Sequence, residues 1–280
     1  MQQALEFSLN NLTIRGIGYG DPNKQQILAL HGWLDNAASF EPLSKYLNDY
    51  YIVAIDLAGH GLSDHRDAGA HYHLIDFVYD LQELVESQGW TSLVLMGHSM
   101  GGIIGSLYSA CFGERVKKYI SIESFGPLTK EAHTSPSQLR DSIISRLKAQ
   151  KSKSRHPTNF ERTVEARTMV GDITSDSARL LVARNTREIS GQLRFTTDRR
   201  LRTLSPMRLT APQAESFLRN IQCPVLAVMG NAGYQSMAEA FHTRKDWVAD
   251  LEFHILEGHH HLHMDSPKVV ADVIDSFIKS

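Results

Sequence analysis

Apolar residues fall into two kinds of run along this chain, and the two kinds alternate. Ile27 to Leu30, Ile52 to Ile55, Leu93 to Met96, Tyr119 to Ile122, Val225 to Met229 and Phe253 to Leu256 are short and nearly continuous. A strand covered on both faces reads this way, as in a parallel sheet. Between these runs apolar residues recur at three- and four-residue steps. Leu74, Phe77, Val78, Leu81, Leu84 and Val85 form the clearest set, followed by Ile103, Ile104, Leu107 and Cys111, and by Val269, Val270, Val273, Ile274 and Phe277. Such spacing predicts helices with one buried stripe. The alternation predicts a mostly parallel, doubly wound α/β sheet, whose ligands bind outside the carboxyl ends of the strands. Upstream, Leu5 to about Tyr19, with a turn at Asn10-Asn11 and the breaker run Gly20-Asp21-Pro22-Asn23, predicts an opening hairpin.

The alternation stops after Ile122 and resumes at Cys223. Helical stretches fill the gap, at Gln138 to Ala149, Phe160 to Val170 and Ser177 to Glu188, without a strong strand signal. The predicted organisation is therefore a core made of residues 1–125 and 221–280, with a helical cap inserted at 126–220. The polar, basic stretch Lys148 to Arg155 reads as a mobile loop.

Charge sharpens this division. The chain carries 29 Lys and Arg against 31 Asp and Glu, a net of −2, which excludes a strongly basic binder and gives no reason to expect nucleic acid or membrane as a partner. Residues 126–220 hold 18 of the basic and 9 of the acidic side chains, leaving 11 and 22 for the rest. A basic insert over the sheet edge would attract anionic substrates, such as acyl-CoA or acidic esters, in a salt-sensitive way. Two cysteines, Cys111 and Cys223, read as small core hydrophobes and fit a reducing, cytoplasmic setting. Residues 1–11 lack the pattern of a signal peptide, and no apolar run approaches the ~18 residues of a membrane span.

Chemistry enters at the strand ends. Leu93 to Met96 runs into Gly97-His98-Ser99-Met100-Gly101-Gly102 and then into a helical pattern. G-x-S-x-G between strand and helix is the pattern of a nucleophile elbow, in which small residues permit a sharp turn that presents the serine above the sheet. The plain alternative is a glycine-rich turn with an exposed serine. A serine nucleophile needs a base. The loop after Phe253 to Leu256 reads Glu257-Gly258-His259-His260-His261-Leu262-His263 and supplies one, with the other three imidazoles expected to bond to loop backbone. Clustered histidines can bind Zn²⁺, but no Cys or Glu is spaced to complete such a site, so no metal or cofactor is expected.

A third group must orient the imidazole. After Val225 to Met229 the sequence reads Gly230-Asn231-Ala232-Gly233-Tyr234, with no carboxylate until Glu239. Glu123, directly after Tyr119 to Ile122, is the candidate acid; the alternative is a strand-end Glu paired with a cap arginine. In His31-Gly32-Trp33 the glycine allows close backbone approach, so the Trp33 N–H and the Met100 N–H would receive a developing oxyanion, each worth about 3 kcal/mol in the transition state. Asp56-Leu57-Ala58-Gly59-His60-Gly61-Leu62-Ser63-Asp64 reads as a tight loop shaping the floor of the site.

Together H-G-W, D-L-A-G-H-G-L-S-D, G-H-S-M-G-G and the C-terminal histidine loop resemble the α/β-hydrolase superfamily over nearly the whole chain. L-A-L-H-G-W-L-D-N-A-A-S-F, R-R-L-R-T-L-S-P-M-R-L-T and H-H-L-H-M-D are similar to the serine hydrolase-like proteins within it. The resemblance implies that the base lies seven residues before the proline opening the last helix, which from Pro267 selects His260, with His259 as runner-up. It also implies an acid at the place of Gly233, where this chain departs; members such as haloalkane dehalogenases carry theirs at the place of Glu123. The expected activity is hydrolysis of a small-molecule ester or thioester through an acyl-enzyme, by Ser99, His260 and Glu123. A slow or non-catalytic ligand receptor, and C–C bond hydrolysis on the same triad, are the alternatives. Oligomeric state stays open.

Overall fold

The computed structural model describes residues 2–152 and 156–280. Ten strands and ten α-helices follow one another among these residues: β1 Gln2–Ser8, β2 Thr13–Tyr19, β3 Gln25–Leu30, α1 Glu41–Ser44, β4 Tyr50–Ile55, α2 Leu74–Ser87, β5 Leu93–His98, α3 Met100–Cys111, β6 Val116–Ile122, α4 Ser135–Lys151, α5 Phe160–Gly171, α6 Ser175–Asn185, β7 Thr186–Ile189, β8 Gln192–Phe195, α7 Ala211–Arg219, β9 Val225–Gly230, α8 Gln235–Arg244, β10 Leu251–Leu256, α9 Leu262–Asp265 and α10 Pro267–Lys279. Eight strands form one sheet in the order β1-β2-β4-β3-β5-β6-β9-β10. The β1–β2 and β2–β4 pairs are antiparallel and the remaining pairs parallel. This is the mostly parallel, doubly wound α/β sheet that the alternating runs predict, in the α/β-hydrolase arrangement that the resemblance implies.

Each continuous apolar run lies inside a sheet strand, and helices cover both faces of all but the last. Leu81, Ile104, Leu218 and Phe241 pack on one face; Leu43, Ile274 and Phe277 pack on the other. The last helix shows the logic at residue level. Pro267 opens it, where a missing N–H costs nothing, and Val270, Ile274, Phe277 and Ile278 put one apolar stripe against the sheet.

Five local expectations change. The run Phe253 to Leu256 is not covered on both faces: β10 is an edge strand, and Phe253 and Ile255 are about half exposed. The helix expected to reach Glu188 ends at Asn185, and β7 and β8 form a hairpin about Ser190-Gly191. Both turn residues have positive φ, which suits the twist of a two-residue hairpin. Cys111, the last residue of α3, is exposed rather than in the core, whereas Cys223 is buried. Lys148 to Lys151 belong to α4 and not to a loop; residues 153–155 of that stretch lie outside the described residues. Finally, α7, within the stretch read as the insertion, packs its Leu218 on the core beside α3. The other elements of 126–220 have a small cluster of their own, Val164, Ile173, Ala178, Leu181 and Val182, which meets Met264 of the core.

Candidate active site

Ser99 sits between β5 and α3 with φ 50° and ψ −115°, a conformation that costs a non-glycine residue roughly 1–3 kcal/mol. Its neighbours make that turn possible. A Cβ at Gly97 would lie 2.4 Å from the Gly101 backbone, and one at Gly101 would lie 2.0 Å from the Leu30 carbonyl oxygen. The Ser99 N–H donates to the Ile122 carbonyl at 2.9 Å, and its own carbonyl accepts from Ile103 at 3.0 Å, so strand pairing and the helix start hold the turn from both sides.

Glu123 and His260 meet at the carboxyl ends of β6 and β10. Glu123 also has positive φ, 51°, and is fully buried. Its Oε1 accepts from the Gly230 N–H at 2.5 Å, and its Oε2 lies 3.0 Å from His260 Nδ1. With the carboxylate ionised, the His260 proton resides on Nδ1 and the Nε2 lone pair is free. His260 and Ser99 line one cavity of about 1210 Å³, and the Tyr234 ring stacks on the imidazole with centroids 4.1 Å apart. The missing acid at Gly233 has a steric counterpart. A Cβ there would fall 2.3 Å from Glu123 Oε2 and 2.6 Å from Oε1, so the carboxylate arriving from β6 fills the volume that a side chain at 233 would enter.

His259, the runner-up base, points elsewhere, with its exposed ring 3.2 Å from Asp172. The expectation that the other histidines bond to loop backbone is wrong. His261 faces Asp35 at 3.2 Å, and the ring nitrogens of His263, packed against His98, have no partner among the described residues. Burial holds both His98 and His263 well below the usual imidazole range. His98, the variable residue of the G-x-S-x-G turn, pairs with the His260 carbonyl at 2.8 Å and so fixes the backbone that carries the candidate base.

Trp33 follows Gly32 on the cavity wall, half exposed, with its indole N–H on the Leu201 carbonyl at 3.0 Å. Met100 begins α3, where the first amides of a helix lack intrahelical acceptors. The Asp56 to Asp64 loop is a support and not a floor, since none of it lines the cavity among the described residues. Asp56, fully buried, accepts from the Ala37 and Leu62 amides, each at 2.8 Å, and pairs with Arg184 of α6 at 2.8 Å. It thereby joins α6 to the end of β4.

A second such tie was not legible in the sequence. Arg167 of α5 reaches Asp35 at 2.7 Å and His261 at 3.3 Å. Burial alone would raise the Asp35 carboxyl, but His261 and Arg167 beside it hold it well below the usual range. Asp35, His98 and His261 also offer ligand atoms within 4.8 Å of one another, the geometry of a metal cluster. Arg167 places a cation on Oδ1 of that carboxylate, while Oδ2 faces the His261 and His98 rings.

These features define a protein class. The chain belongs to the alpha/beta hydrolase fold family, whose model matches residues 26–179, and is a hydrolase of that fold. Within the family it resembles the serine hydrolase-like proteins: the one from Danio rerio is 31% identical over 278 residues, covering 95% of this chain and 85% of that protein. A protein from Drosophila melanogaster described as a probable serine hydrolase is also 31% identical, over 95% of this chain and 85% of its own. Among solved structures, the hypothetical protein PA1622 from Pseudomonas aeruginosa PAO1 superimposes with TM-score 0.91 at 35% identity, covering 99% of each chain. The thioesterase domain from the curacin biosynthetic pathway shares the fold, with TM-score 0.85 at 23% identity over 99% of each chain. Among the described residues no helix is long and apolar enough to cross a membrane.

Proposed function

We propose that this hydrolase cleaves a carboxylic ester or thioester through an acyl-enzyme on Ser99. His260 Nε2 takes the Ser99 proton as Oγ attacks the acyl carbon, then returns it to the leaving oxygen or sulfur. Glu123 holds the imidazole by Nδ1 and stabilises its charged form. The Trp33 and Met100 amides receive the oxyanion. A water activated by the same imidazole then attacks the acyl carbon, releasing the acid and restoring Ser99.

The observation that carries the reading is the buried Glu123–His260 pair on the cavity that Ser99 lines. Perturbed backbone at Ser99 adds to it, since such strain persists where the surrounding structure enforces it. The absence of an acid at Gly233 would favour the receptor alternative; the Glu123 carboxylate lying in that volume supports the catalytic reading instead. The test is labelling by a fluorophosphonate together with turnover of p-nitrophenyl butyrate. Both should vanish in Ser99→Ala with the melting curve preserved. Labelling that persists in Ser99→Ala refutes the assignment of the nucleophile.

A further inference from the structure

The cavity that Ser99 and His260 share has a one-sided charge. Five arginines and two aspartates line it, with no lysine or glutamate among the described residues. Both aspartates are already matched: Asp35 by Arg167 at 2.7 Å, and Asp198 by Arg200 at 2.7 Å. Arg199 bonds the Ser152 carbonyl, which leaves its charge uncompensated but its position fixed. Arg146 of α4 and Arg202 have no ion-pair partner among the described residues. The Nε of Arg146 is moreover buried without a hydrogen-bond partner.

Arg146 is half-buried and Arg202 is exposed at the cavity wall, so of their donors only the Arg146 Nε is withdrawn from water without an acceptor, a costly state unless an anion joins it. The Arg202 guanidinium is pushed down by burial and by the charge of Arg167, so the positive charges there act on one another before any ligand arrives. The remaining wall is different. Trp33, Leu181, Val182 and Phe195 give it an apolar stretch, and its volume of about 1210 Å³ far exceeds a short acyl group.

We propose that the cavity contains an anion subsite formed by Arg146 and Arg202, so that the substrate carries a carboxylate or phosphate separated by an apolar segment from the ester or thioester at Ser99. This rests on the hydrolase reading above for the chemistry, but not for the binding. The guanidiniums would dock the far end of the substrate and take no part in the bond changes at Ser99.

Two pairs of probes test it: the mono-p-nitrophenyl ester of suberic acid against its methyl-capped diester, and octanoyl-CoA against octanoyl-N-acetylcysteamine. Within each pair the reacting group is the same; the suberate pair differs in the remote charge and one methyl, and the thioester pair also in the nucleotide arm, so the arginine variants and the salt series carry the assignment to charge. The anionic member of at least one pair should show a kcat/KM at least about tenfold higher, as expected for a charge-assisted contact. The pair that shows the preference separates a carboxylate from a phosphate. The preference should fall about tenfold in Arg146→Met or Arg202→Met, return in the lysine variants, and shrink between about 50 mM and 500 mM salt. Equal rates within both pairs overturn the proposal. If no probe turns over, the hydrolase reading fails by itself, and calorimetric binding of octanoyl-CoA and the suberate monoester to Ser99→Ala decides the subsite. Binding lost with the arginines supports it, and binding indifferent to them, or absent, overturns it.

Discussion

Exchange of the acid between positions 123 and 233 is the sharpest test of how this site is built. Replacing Glu123 by Gln keeps an acceptor for the Gly230 N–H but turns an amide toward His260 Nδ1. The imidazole then carries its proton on Nε2, the wrong nitrogen for receiving one from Ser99. A loss of about 10³- to 10⁴-fold is expected, close to what the analogous change does in serine proteases. Gly233→Asp alone should also damage the site, because its Cβ would lie 2.3 Å from the Glu123 carboxylate and two buried carboxyls that close cannot both ionise. The double variant Glu123→Gly, Gly233→Asp removes the clash and supplies a new acid to the same imidazole. Glycine is preferred at 123 because the backbone there has φ 51°. The rate of fluorophosphonate labelling serves as the assay, since it needs no knowledge of the substrate. Glu123→Gly should label about 10³-fold more slowly than the parent, and the double variant should recover at least about 100-fold of that, a strongly non-additive pair. A folded double variant no faster than Glu123→Gly refutes the claim that the two positions serve one volume and one imidazole.

Two further outcomes concern stability. Arg184→Met should destabilise by about 3–5 kcal/mol in denaturant unfolding, because it strands the fully buried Asp56 carboxylate, and adding Asp56→Asn should recover part of the loss; a change under about 1 kcal/mol refutes it. Stability should also fall as pH drops below about 6.5, since His60, held by burial at about 3, and His31, His98 and His263, which burial also lowers, stay neutral when folded but take up protons when unfolded. Asp80, which burial raises to about 6, opposes this by one proton, so His60, His98 and His263 alone leave a slope of about 2–3 kcal/mol per pH unit between about pH 6 and 5, to which His31 adds in the same direction; a calorimetric series showing less than one proton contradicts it.

What the sequence made legible was whatever a single segment settles for itself. The covered strands β3, β4, β5, β6 and β9 announce themselves because burial on both faces demands continuous apolar residues. Edge strand β10 has the same composition but lacks a neighbour, which is a property of the assembly and not of Phe253 to Leu256. The β7–β8 hairpin escaped because Thr186 to Phe195 is short and largely exposed, so no apolar period marks it. The site divides in the same way. Ser99 was legible in its turn glycines, while Asp35, His98 and Arg167 matter only through contacts that join segments 132, 162 and 226 residues apart. No local pattern encodes those.

Position 233 shows what a motif reading can and cannot carry. Taken position by position, a glycine where the resemblance implies an acid looks like a lost function, and a glutamate after β6 looks like a separate curiosity. In space they are one arrangement. A carboxylate reaching across from β6 needs the volume above the end of β9 to be empty, and glycine is the residue that empties it; a side chain there would meet both oxygens at under 3 Å. The glycine is thus the steric condition for the glutamate, and a chain that acquires one without the other loses room for its acid or loses the acid itself.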